Sequence, residues 1–432
     1  MILDFNNLSN HQKLQIDEIS SKIENDYNIL IENILKTNKN NNDIFFSNII
    51  SRNNDENQIF YSLCLLELSL KLSKEGKLSR IITSSDEQTY VLKQKIKSVN
   101  IITKKKINTK FFLNILKVLK NIHYLAKLVF CRSSKRKENT KNLKKIVLLE
   151  LFFIPKMFSN NTYKDRYYGN LLDKLSKNEN RNYVFFPIFF HKAIKNSFIK
   201  LAKKKINLLL QSDYLKFSDY IKSISYFLRI KKIKLNNLLF RGFNIESLIK
   251  KELEIDKFNQ SSLIAQLNYY CFRRMKDEKL DIELVIDWYE NQIVDKGFNY
   301  GKNIFFPNIK SKGFIGLNSI LEINKNFIPS KLEIEKKLAP TEICLTSPKY
   351  FDVISKKRKD INVSLAPALR SGGLFNDDIF KEKQNNKSLK ILINFTGFYQ
   401  DNLEMISLIN KSEILRSEKI DLFIRPHLRL TI

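Results

Sequence analysis

Glycine and proline are scarce in this chain, 10 and 8 in 432 residues. That scarcity excludes collagen-like, linker-rich and loop-dominated architectures. Cys64, Cys131, Cys271 and Cys344 stand far apart, with no CxxC or Cys/His spacing. Neither a zinc site nor a disulfide framework is expected, and a reducing compartment is the default for such thiols. No uncharged apolar run reaches the length of about 18 residues that a bilayer span requires. The first residues, MILDFNNLSNHQ, lack the basic-then-apolar plan of a signal peptide, so the expected location is cytoplasmic. P-loop, GxGxxG, GxSxG, HExxH and EF-hand patterns are all missing, which argues against a Walker-type ATPase, a kinase and a dinucleotide-dependent dehydrogenase. There is no internal repeat of the solenoid or propeller type.

What the chain does hold is apolar bulk and positive charge. Hydrophobic residues make up 43%, including 32 Phe, which excludes disorder of the whole chain and suits two or three domains. The formal charge is +30. Either an anionic partner explains it (nucleic acid, an anionic leaflet, a phosphate-bearing substrate) or a lysine-, asparagine- and isoleucine-rich composition simply solvates its faces. The excess is local at one place: from Lys97 to Leu149 the only acidic residue is Glu138, against fifteen Lys or Arg. Within it, NTKFFLNILKVLKNIHYLAKLVFC (108–131) reads as an amphipathic helix interrupted by Lys117, Lys120 and Lys127. A basic helix with an apolar face is the pattern of interfacial membrane binding, so 108–145 is the expected contact with an anionic membrane surface.

Elsewhere short apolar, β-branched runs alternate with helical periodicity. Strands are predicted at SRIITSS (79–85), SVNIIT (98–103), KIVLLELFFI (145–154), NYVFFPIFF (182–190), EICLTS (342–347), INVSLAP (361–367), KILINF (390–395) and KIDLFIRP (419–426). Helical stretches predicted between them include one near 166–177, and a lysine-rich middle, about 192–290, reads as mainly helical. Such alternation predicts an α/β protein with parallel sheets and crossover helices. The expected organisation is two Rossmann-like lobes. A helical lead-in (1–43) precedes an N-terminal α/β lobe with helical insertions (44–290). An interlobe loop and linker (291–340) then leads to a partial C-terminal α/β lobe (341–432).

Ligands of open α/β sheets bind beyond the carboxyl ends of strands, so the loops there carry the candidates. In WYENQIVDKGFNYGKNIFFPNIKSKGFIG (288–316) the only Trp precedes Glu290, Asn291, Gln292, Asp295 and Lys296. Four of the ten glycines, Gly297, Gly301, Gly313 and Gly316, follow and predict turns or close backbone approach. LAPALRSGG (365–373) places Arg370 after a strand, where a guanidinium can hold a phosphate. NFTGF (394–398) offers Thr396 in a turn, and FIRPHLRL (423–430) offers His427 as a phosphate contact or acid/base. NTYKDRYYGNLLDKL (161–175) gathers Tyr163, Asp165, Arg166, Tyr168 and Gly169, with Asp165 a candidate general base toward a sugar acceptor. No DxD motif precedes a nucleotide loop, so neither a metal nor a cofactor is called for.

Taken in order, SRNNDENQIFYSLCLLELSLKL, NTYKDRYYGNLLDKL, WYENQIVDKGFNYG with KSKGFIG, the run PSKLEIEKKLAP (329–340) and LAPALR resemble a family. It is that of bacterial surface carbohydrate (O-antigen type) biosynthesis proteins related to the two-lobed GT-B glycosyltransferases. The resemblance covers roughly residues 45–430. It implies a GT-B-like fold, with an acceptor on the N-terminal lobe and a nucleotide-sugar donor on the C-terminal lobe. It also implies transfer of a sugar to a lipid-linked or glycan acceptor at the inner face of the cytoplasmic membrane. FIRPHLRL is similar to the Lys/Arg-Pro-His-Pro box of capsule and teichoic-acid transferases, whose His contacts donor phosphate; Leu428 stands here in place of the second Pro. Set against complete GT-B proteins, the C-terminal lobe is expected to stop short. A basic nucleic-acid-binding protein and a non-catalytic membrane-docking remnant are the competing expectations.

Overall fold

The computed structural model describes residues 1–51, 57–104, 110–153, 158–159, 162–163, 165, 167–169, 171–176, 182–189, 207–316, 328–370, 389–395, 399–415 and 420–426. The chain divides into two compact units, Met1–Gly372 and Gly373–Ile432.

The first unit opens with a strand, β1 (Ile2–Asp4), inside the stretch expected to be wholly helical. Helix α1 (Asn10–Thr37) is started by a capping box: the Ser9 hydroxyl accepts from the Gln12 N–H, and Gln12 Oε1 accepts from the Ser9 N–H at 2.8 Å. Ile16, Ile19, Ile23, Tyr27, Leu30 and Ile34 recur at helical spacing, and all are buried. They share a core with helix α2 (Ile59–Lys74). Strand β2 (Arg80–Thr83), helix α3 (Asp86–Lys93) and strand β3 (Asn100–Thr103) complete a parallel sheet of order β1-β2-β3.

Helices α4 (Lys110–Phe130) and α5 (Ser134–Lys141) lead into the main sheet. Its strands are β4 (Ile146–Phe153), β5 (Tyr183–Phe189), β6 (Ile282–Trp288), β7 (Lys310–Ile315), β8 (Glu342–Leu345) and β9 (Val363–Leu365). They lie in the order β9-β8-β7-β6-β4-β5, and every neighbouring pair is parallel. A parallel strand covered on both faces needs apolar residues throughout, which is why β4 and β5 read as near-continuous apolar runs. The chain passes from β4 to β5 on one side, then returns to β6 on the other. The strand order therefore reverses between β4 and β6, the place where open α/β sheets leave a crevice for ligands.

Helices α6 (Gln211–Tyr214), α7 (Phe217–Ile224), α8 (Glu246–Asp256) and α9 (Gln260–Asp277) lie between β5 and β6, in the stretch expected to be helical. Helix α10 (Ile293–Phe305) follows β6 and packs on α9. A Cβ at Gly297 would stand 2.3 Å from the Ala265 carbonyl oxygen, and one at Gly301 would stand 2.9 Å from Tyr269 Cα. These two glycines mark no turns; they let two helix backbones meet. Helices α11 (Lys331–Glu335) and α12 (Pro348–Lys357) complete the unit.

Strands β6 and β7 were not expected, and they change the partition. They bridge β4 to β8, so residues 342–365, expected to open a separate lobe, lie in one sheet with residues 146–153. The break between compact units falls at Gly372/Gly373. The helix predicted near 166–177 is a turn around residues 165–169 followed by a short 3-10 helix, Leu171–Lys174. The second unit holds the predicted βαβ element: parallel strands β10 (Leu389–Asn394) and β11 (Ile420–Arg425) with helix α13 (Tyr399–Lys411) between them in sequence. Among the described residues, no helix is long and apolar enough to cross a membrane.

Candidate functional site

At the point where the sheet reverses, two carboxyl groups sit inside otherwise apolar strands. Leu149 of β4 pairs with Ile286 of β6, so Glu150 and Asp287 come side by side, and both are buried. Trp288 N–H donates to Glu150 Oε2 at 3.2 Å, while the Asn299 side-chain amide donates to Asp287 Oδ2. Glu150 Oε1 and Asp287 Oδ1 have no other donor. Two buried carboxylates side by side cannot both stay ionised. Burial first, and then the Asp287 and Asp295 charges, push the Glu150 carboxyl well above its ordinary range. Burial likewise raises Asp287 to about 7, opposed by hydrogen bonds from Asn299 and Glu150. Glu150 has two neighbouring charges adding to its burial, whereas hydrogen bonds oppose the rise at Asp287.

The loop after β6 is built on a second buried group. Asp295 Oδ2 accepts from the backbone N–H groups of Glu290 and Gln292, each at 2.9 Å, closing the first turn of α10. Asn291 adopts φ +53°, the left-handed region that Asn tolerates better than most residues. Its Oδ1 accepts from the Lys296 ammonium at 2.6 Å, and Lys296 also forms an ion pair with Glu333 of α11. Lys296 and Glu333 are both fully buried. Glu333 Oε2 in turn accepts from the Ser330 N–H at 2.6 Å. Asn291, one of the candidates in the loop after the strand, is thus buried and helps to fix the loop.

Trp288 is where the candidate stretches meet. The ring of Tyr167 stands edge-on at 4.5 Å between centroids, with Tyr168 at 6.0 Å and Phe314 at 5.7 Å. Gly316 is required beside the indole, since a Cβ there would lie 1.9 Å from it. Indole Nε1 donates to Glu290 Oε1 at 2.9 Å, and the Gln292 amide donates to Glu290 Oε2 at 2.7 Å. The Arg370 guanidinium lies 5.9 Å from the ring centroid, within cation–π range. Gly169 sits against the Leu369 carbonyl oxygen, so the loop at 165–169 also touches the loop that carries Arg370. Asp165, expected as a general base, has Oδ1 committed to the backbone N–H groups of Tyr167 and Tyr168 at 2.7 and 2.9 Å. It forms the turn that presents those tyrosines to Trp288.

Three stretches far apart in the sequence, around 165, 290 and 370, therefore converge at the carboxyl edge of one sheet. Glu290, Gln292 and Arg370 remain partly exposed there and supply a carboxylate, an amide and a guanidinium. Thr396 and His427, and with them Arg166, lie outside the described residues. Among the described residues, no three His, Cys, Asp or Glu side chains are grouped to hold a metal ion. Glu150 and Asp287 went unnoticed in the sequence, although a carboxylate inside an apolar run such as IVLLELFF or LVIDW is a readable signal that a buried acid needs a partner. Comparison with protein-family models, with curated proteins and with solved structures finds no match to this chain. Fold and site together define an α/β protein with a mostly parallel six-stranded sheet and a polar cluster at its switch point.

Proposed function

We propose that the protein is a glycosyltransferase-like member of bacterial surface polysaccharide biosynthesis, taking a nucleotide-sugar and transferring its sugar to a lipid-linked or glycan acceptor. The observation that carries this reading is the convergence of Arg370, Glu290 and Gln292 on Trp288 at the carboxyl edge of the main sheet. A nucleotide-sugar presents a diphosphate beside a ring of hydroxyls. Arg370 offers the fork that matches phosphate, and Glu290 with Gln292 offers acceptors and donors for hydroxyl groups. Asp165 shapes the turn that presents Tyr167 and Tyr168 to Trp288.

Trp288, the only tryptophan, reports on binding through its fluorescence. Titration with a panel of uridine-, guanosine-, cytidine- and thymidine-linked sugars is expected to change its emission for at least one member. Arg370→Ala should weaken that binding roughly 10- to 100-fold, the loss of one charge-assisted bidentate contact. If no nucleotide-sugar binds or is hydrolysed, or if Arg370→Ala binds as well as the parent protein, the reading fails.

A further inference from the structure

Helix α4 leaves one stripe of itself uncovered. Ile115, Leu119, Ile122, Val129 and Phe130 fall on one side at helical spacing, and all are exposed, Phe130 by 79%. A second stripe, not evident from the basic segment alone, runs along α7 and the turn after it. Phe217, Ile221, Ile224 and Leu228 repeat at the same spacing and are also exposed, Phe217 by 78%. The stripes are not separate. Ile122 of one and Ile224 of the other line the same groove, whose floor includes Phe227 and Phe258 and whose cavity measures about 360 Å³. A contiguous apolar face of this kind marks an interaction site.

The exposed charge on the two helices themselves is positive. Lys120, Lys216, Lys222, Lys231 and Lys232 are exposed on these segments. Asp213 and Asp219 are buried and paired with Arg136 at 2.6 Å and Arg274 at 2.8 Å. Glu254 is paired with Lys257 of the groove, Glu252 lies near Lys117, and Glu138 is exposed beyond α4. No exposed carboxylate lies on residues 114–137 or 214–234. A second copy of the chain would bring lysines against lysines. Nucleic acid would neutralise the lysines but leave the Phe and Ile side chains in water.

We propose that the α4 and α7 faces, with the groove between them, form one docking surface for an anionic lipid bilayer. The apolar side chains enter the headgroup–acyl boundary and the lysines hold the acidic headgroups. The proposal goes beyond the donor reading and does not depend on it, because neither helix contributes to the cluster around Trp288.

Co-sedimentation of the full chain with vesicles tests this. Phosphatidylcholine vesicles containing about 30 mol% phosphatidylglycerol should pellet the protein, and pure phosphatidylcholine should pellet much less. Raising salt from about 0.1 M to about 0.5 M should weaken, not abolish, the binding. Phe217→Glu with Ile221→Glu, and separately Leu119→Glu with Phe130→Glu, should each lower partitioning roughly tenfold or more. Circular dichroism should show both variants folded, since the altered side chains are more than half exposed. Protein that stays in the supernatant with acidic vesicles overturns the proposal. So does a Phe217→Glu/Ile221→Glu variant that pellets like the parent. So, too, does a dimer in sedimentation velocity that these substitutions break apart.

Discussion

Replacing Lys296 by Met tests the buried strut under the candidate site. Lys296 and Glu333 are both without solvent exposure, and Lys296 also holds Asn291 Oδ1 at 2.6 Å. Lys296→Met fills most of the same volume but leaves the Glu333 carboxylate buried with the Ser330 N–H as a remaining donor. Breaking one side of a fully buried ion pair costs about 3–5 kcal/mol, most of it the penalty of the abandoned charge. The compensating change is Lys296→Met with Glu333→Gln, which removes both charges and keeps an acceptor for Ser330. That double variant should recover at least ~1–3 kcal/mol of the loss, the size of coupling found between contacting groups.

Urea unfolding followed by Trp288 emission reads this directly, because the indole lies beside the loop that Lys296 and Asn291 hold. With a slope of about 2–3 kcal/mol per molar urea, Lys296→Met should lower the midpoint by roughly 1–2 M. A red shift of the folded baseline should accompany it as the Glu290–Gln292 loop loosens and water reaches the ring. A midpoint shift below about 0.3 M would refute the reasoning, as would a double variant no more stable than the two single losses added together.

Glu150 and Asp287 make stability depend on pH with a definite sign. Both carboxyls have folded-state values above their ordinary ones, Asp287 at about 7. Their contribution is complete below about pH 4 and is lost as pH rises through the folded values. Glu150→Gln keeps a donor toward Asp287 and removes one titration. Its stability should fall less steeply than the parent's between pH 5 and 8, by up to ~1.4 kcal/mol per pH unit. Parallel curves would show that the pair shares no proton. Gly297→Ala should destabilise by about 1–3 kcal/mol, although alanine is the better helix former, because the new methyl meets the Ala265 backbone at 2.3–2.6 Å. An unchanged or raised melting temperature would mean that α9 and α10 part easily.

Much of the fold was legible because its signals are local. Eight predicted runs, from SRIITSS to KIDLFIRP, coincide with eight observed strands, since each is short, apolar and rich in β-branched residues. The strands that escaped are β6 and β7. DIELVIDW carries three acidic residues and KSKGFIG has two lysines in its first three positions, so neither looks like a buried strand until its neighbours are known. Missing them split one sheet into two expected lobes. Similarly, Gly297 and Gly301 announced close backbone approach, but that the partner is helix α9 is a matter of packing.

The candidate site divides the same way. The chemically unusual stretches are visible along the chain: Trp288 through Lys296, Asp165 through Gly169, and Arg370 after its strand. What they do for one another follows from packing. It buried Asn291 against Lys296, turned Asp165 into a backbone cap, and set Glu150 beside Asp287, where burial raises both carboxyls. Periodicity and composition report a residue's neighbours along the chain. A pair of buried carboxyls, a buried ion pair and an aromatic hub are set by neighbours across strands, and by the loss of water that bringing them together entails.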